Sequence, residues 1–186
     1  MTATARAPQV VAAPADHGDR LLLAAATLFA VAVLVHNSDH VRRGIDSVSR
    51  QVFWVGTAGI VIEVGVVVLA CQRHRLAPLA AVAAGWSLAP AYLLVHFLPA
   101  HWWLGDSFTV ASHVSPMSWF AASLEVLAAA LLGLAGWVVL QQRGGLASAA
   151  RPHEPQRSPW AGFLHPVAAA MLLGNLVILA ISFAQL

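Results

Sequence analysis

Five long apolar stretches occupy most of this 186-residue chain. A helix needs about 20 consecutive apolar residues to cross roughly 30 Å of hydrocarbon. Residues 52–71, 76–98, 118–140 and 163–186 meet that length. Each carries one residue of note inside: Glu63, Pro90, Glu125 and Asn175 respectively. The first run, Leu21–Val35, is too short alone. It spans only if the helix continues to about His40, which draws His36, Asp39 and His40 into its last turn. The expected fold is therefore all-α, a polytopic membrane protein built as a five-transmembrane-helix bundle. Its spans lie near 21–40, 52–71, 76–98, 118–140 and 163–186, within one domain of residues 20–186. Residues 1–19, with Pro8, Pro14, Gly18 and many alanines, read as a flexible tail.

Composition supports this. The chain is 59% hydrophobic and only 10% charged, against about 25% charged in soluble domains. A water-soluble fold is disfavoured, and a lipid bilayer is the expected partner. All ten basic residues are Arg, and Ala is abundant, which reads as the coding bias of a GC-rich bacterial genome. A formal charge of +2 argues against a nucleic-acid partner. Cys71 is the single cysteine, so no internal disulfide is available. No small-residue cleavage pattern follows the first apolar run, which should stay as a helix of the mature protein.

Arginine distribution sets the expected orientation. Arg6, Arg20, Arg73, Arg75, Arg143, Arg151 and Arg157 fall on one side of the bundle. Arg42, Arg43 and Arg50 fall on the other, in the first loop, and the third loop and carboxyl terminus hold none. The reading is a plasma (inner) membrane protein with its N-terminus cytoplasmic and its C-terminus extracytoplasmic. Trp54, Trp102, Trp103 and Trp119 would mark the outer interface, and Trp137 and Trp160 the inner one.

With that topology the polar residues gather at the outer end. His36 and His40 share a helix face, with Asp39 beside them. His96 ends the third span. His101 and His113 lie in the outer loop near Asp106. Glu125 sits two turns into the fourth span, and Ser182 one turn below the outer end of the fifth. Glu63 and Asn175 lie deeper, near the midplane, and the partners expected for Glu63 are Asn175 and backbone carbonyls freed near Pro90. A carboxylate inside the bilayer costs about 2.5–3.5 kcal/mol on insertion scales, so both glutamates should face protein or water. Gly56 and Gly59 on the Glu63 face, and Ser118, Ala122, Ala129 and Gly136 on the Glu125 face, suggest close helix approach there.

Imidazole and carboxylate groups without thiolates form a ligand set for zinc, iron or copper. The candidate metal ligands are His36, Asp39, His40, His96, His101, His113 and Glu125, with Glu63, Asn175 and Ser182 as intramembrane polar groups. Haem b held between His36 and His96 is a second form of the idea. The contrasting reading is a non-catalytic structural or proton-handling subunit, a homo-oligomer or part of a larger membrane complex. There is no phosphate-binding glycine loop and no His-Glu-x-x-His.

The run His36-Asn37-Ser38-Asp39-His40 resembles the Ser, Asp and His set of the membrane hydrolase superfamily that includes alkaline ceramidases. The resemblance covers five residues. Members of that family have seven helices with ligands spread over several of them, so its activity is not carried over to this five-span chain.

Overall fold

A computed structural model describes residues 15–99, 105–146 and 162–185. Among these residues the chain is all-helical, and five helices are long and apolar enough to cross a membrane. They are α1 (Ala15–Arg43), α2 (Arg50–Cys71), α3 (Ala77–His96), α4 (Pro116–Gln142) and α5 (Pro166–Ala184), with a short 3-10 turn at Ile45–Ser47. Helix α1 is longer than expected at both ends. Residues 15–19 are helical, and the last turn runs past His40 to Arg43.

Local sequence explains most of the boundaries. Ser49 caps α2, its side chain accepting from the Val52 N–H at 3.2 Å. Ser115 and His165 cap α4 and α5, each followed by a proline at the first helical position. Proline is suited to that position because its missing N–H would have had no helical partner. Pro90 is accommodated inside α3, which continues to His96.

Helix α4 runs between α1 and α3, and α5 packs on α1. The α3–α4 seam is built from small residues. A Cβ placed on Gly85 would lie 2.4 Å from the Gly133 nitrogen and 2.5 Å from the Ala129 oxygen. One on Gly136 would lie 2.6 Å from the Pro78 oxygen. Such backbone approach is what drives helix association where lipid removes the hydrophobic term. At one end of the bundle Arg143 pairs with Asp19, joining α4 to α1.

Helix α2 is held differently. A Cβ on Gly56 would meet nothing within 4 Å, and one on Gly59 would touch only Glu63 Oε1, at 3.7 Å. The expected tight approach therefore holds on the Glu125 face, where Ser118, Ala122, Ala129 and Gly136 are buried. It fails on the Glu63 face, where the two glycines border a cavity. The outward surface is apolar, with Val61, Leu127 and Leu173 exposed, as a bundle facing hydrocarbon requires. Trp54 and Trp119 lie near the starts of α2 and α4, at the same end of the bundle, and Trp137 lies near the end of α4. Trp102, Trp103 and Trp160 lie outside the described residues.

Candidate metal centre

The end of the bundle where α1 and α3 finish and α2 and α4 begin gathers the polar side chains. His36 and His40 are one turn apart near the end of α1, and His96 is the last residue of α3. One ring nitrogen from each of the three lies within 4.8 Å of the other two. The Nε2 atoms of His36 and His40 are 3.0 Å apart. The His36 ring meets those of His40 and His96 edge-on, with centroids at 4.6 and 4.7 Å. His36 and His96 are buried, and His40 is half-buried.

A buried ion-pair network supports the histidines from behind. Helix α1 places Arg43 seven residues after His36, on the same face. The Arg43 side chain is wholly buried and makes a two-pronged contact with Asp106, at 3.1 and 2.5 Å. Arg43 Nε is also 3.3 Å from Asp39 Oδ2, and Arg42 Nε is 2.8 Å from Asp39 Oδ1. Two arginines and two aspartates thus balance in charge. The Arg43 guanidinium also lies 5.1 Å from the centre of the Phe108 ring, a favourable cation–aromatic placement.

Asp106 reaches this position because its loop folds back over α3. The Asp106 N–H donates to the Val95 carbonyl and the Phe108 N–H to the His96 carbonyl, at 3.0 and 2.9 Å. These are last-turn carbonyls that the helix itself leaves without donors. Burial alone would push the Asp106 carboxyl up, but its contacts with His96 and Arg43 outweigh this and hold it below its ordinary value.

The hydrogen bonds also fix how the imidazoles present themselves. Arg43 Nη2 lies 2.9 Å from His40 Nδ1. His96 Nδ1 faces both the Asp106 carbonyl oxygen, at 3.3 Å, and its carboxylate, at 3.5 Å. An imidazole that donates one N–H to a carboxylate or carbonyl offers its other nitrogen as a ligand, and His96 is arranged in that way.

The remaining expected ligands divide. Glu125 is buried, with Oε2 3.5 Å from His36 Nε2, but it is not among the mutually close set of three. Asp39 is buried but engaged by Arg42 and Arg43. His113 is drawn away, its ring against the Arg43 backbone carbonyl at 3.3 Å, and its backbone has a positive φ of 58°. His101 lies outside the described residues.

The deeper groups pair otherwise than expected. Asn175 accepts from Asn37 Nδ2 at 2.7 Å and donates to the Met171 carbonyl. Glu63 instead accepts from the Tyr92 hydroxyl at 2.6 Å. Ser182 bonds the Ile178 carbonyl, 2.9 Å away. A cavity of about 520 Å³ runs among α1, α2, α3 and α5, touches α4 at Glu125, and is bordered by His36, His40, His96, Glu125, Glu63 and Ser182.

Sequence reasoning read Arg42 and Arg43 only as topology markers and missed Tyr92. The i, i+3, i+4, i+7 spacing of His36, Asp39, His40 and Arg43 was a usable signal for Arg43. No signal of that kind pointed from Tyr92 to Glu63. No protein family, curated protein or solved structure matches this chain.

Proposed function

We propose that this protein holds a transition-metal ion in the membrane, bound by His36, His40 and His96 with Glu125 at hand for a fourth position. The mutual approach of three imidazoles from two helices carries the reading. Nitrogens bound about 2.0–2.1 Å from one tetrahedral ion stand about 3.3 Å apart. The 3.0 Å between His36 and His40, and the 4.8 Å limit for the whole set, need only small side-chain adjustments to match. Zinc, iron and copper all suit imidazole donors. With Glu125 in the fourth position the ion has four protein ligands, and an exogenous ligand would take a fifth position on the cavity side. The adjoining cavity gives access to that position.

The geometry favours a compact ion over haem b. Two imidazoles on opposite faces of one iron, with bonds near 2.0 Å, hold their ring centroids about 6 Å apart. The His36 and His96 centroids are 4.7 Å apart, and His40 contacts the edge of His36.

In this reading the centre faces the extracytoplasmic side. Arg42, Arg43 and Arg50 weigh against that orientation, and the first two are engaged with Asp39 or Asp106. A reporter fused after Leu186 should then be active outside the cytoplasm, and cytoplasmic activity would reverse the orientation.

Elemental analysis of protein purified without chelator tests the site itself. Wild type should carry about one equivalent of metal, His96→Ala should lose it, and His113→Ala should keep it. Metal retained in His96→Ala would remove the proposed centre.

A further inference from the structure

The cavity contains polar atoms that the metal proposal leaves unused. Glu63 is 95% buried, and Oε1 accepts from Tyr92, while Oε2 has no hydrogen-bond partner. Glu63 borders the cavity. A buried polar atom without a partner costs about 1–3 kcal/mol, so a group entering the cavity beside it gains from meeting it.

The surrounding walls say what kind of molecule carries that group. They are mainly Val, Ile, Leu, Ala and Gly side chains of α2, α3 and α5. Val55, Ile62 and Leu94 border the cavity and are exposed. A path into the cavity past these residues of α2 and α3 would be apolar. A volume of about 520 Å³ lies within the range of small-molecule sites, which are mostly apolar with a few placed polar groups. Eleven residues separate Val52 from Glu63, about 16 Å of helix at 1.5 Å per residue. An elongated apolar body fits that length. A second charge in such walls would be costly. A hydroxyl suits a carboxyl group in either protonation state, because it both donates and accepts.

We propose that the cavity binds a lipophilic alcohol that enters from the bilayer between α2 and α3 and places its hydroxyl on Glu63. The loose seating of α2, with open space at Gly56, makes room for the apolar chain. The site stands on the cavity and Glu63 and does not draw on the metal.

The test is photolabelling of the full chain in lipid nanodiscs with a diazirine-bearing dodecanol, before and after chelator treatment. Labels should map to residues 52–63 and 88–96 in both samples. Unlabelled dodecanol should compete and dodecane should not. Glu63→Leu, which removes the hydrogen bond, should weaken labelling roughly two- to tenfold. Ile60→Trp, which fills the cavity, should abolish it. If either variant fails to fold, the wild-type competition decides alone. Labels spread over outward positions such as Val61, Leu127 and Leu173, or equal competition by dodecane, would overturn the proposal. Labelling lost only after chelation would also overturn it, by making the ligand dependent on the metal.

Discussion

Arg43 Nη2 lies 2.9 Å from His40 Nδ1, and this contact sets which nitrogen of His40 carries a proton. A guanidinium only donates, so His40 Nδ1 accepts. In the metal-free chain neutral His40 then holds its proton on Nε2, 3.0 Å from His36 Nε2, which accepts in turn. To ligate a metal through Nε2, His40 must release the Arg43 contact and carry its proton on Nδ1. His96 is arranged in the opposite sense, with Nδ1 toward Asp106. Nitrogen-15 NMR of histidine-labelled, chelator-treated protein should therefore show the Nε2–H tautomer for His40 and the Nδ1–H tautomer for His96. The same tautomer for both would contradict the hydrogen-bond assignment.

The Arg43–Asp106 pair should matter more for stability than an exposed pair. Both side chains are almost completely buried. Breaking such a pair by removing one partner costs about 3–5 kcal/mol, because the other charge stays buried and uncompensated. Arg43→Met and Asp106→Leu should each destabilise on that scale, and the double variant should lose less than the sum. Additive losses in equilibrium unfolding would show that the two residues act independently.

The two intramembrane glutamates should separate in metal content. Glu125 lies 3.5 Å from His36 Nε2, whereas Glu63 is engaged by Tyr92. Glu125→Gln should lower the bound metal, since among the described residues it removes the one carboxylate close to the histidines that is in no arginine ion pair. Glu63→Gln should keep wild-type stoichiometry. Equal loss in both would mean one continuous site reaching down to Glu63, and no loss in either would remove Glu125 from the ligand set.

The seam between α3 and α4 should not tolerate bulk. Any Cβ on Gly85 meets α4 backbone at 2.4–2.5 Å, and backbone cannot rotate aside. Gly85→Leu should cost more than about 3 kcal/mol, the upper end for ordinary overpacking. Gly56→Leu, which points into open space, should cost far less. Similar unfolding midpoints for the two variants would contradict the packing described.

The five spans were legible in sequence because 20-residue apolar runs admit few alternatives in a lipid solvent. The joining of His36, His40 and His96 at one end followed from topology, since α1 and α3 finish at the same end. Partner choice was not legible. Asn175 and Glu63 stood as candidates for each other by depth, yet Asn37 and Tyr92 take those positions. Depth is fixed by counting residues, whereas the angular setting of each helix comes from packing across the bundle. The role of Asp106 was hidden for a similar reason. It depends on a loop folding back onto α3 carbonyls, and no periodic pattern encodes that.

X-ray absorption spectroscopy at the metal edge of the purified, metal-loaded protein tests the central claim most directly. A centre formed by His36, His40 and His96 should show three imidazole nitrogens at about 2.0–2.1 Å with one oxygen donor. His36→Ala should reduce the imidazole count to two or lose the metal. A shell containing no more than one imidazole, or one unchanged in His36→Ala, would contradict the account.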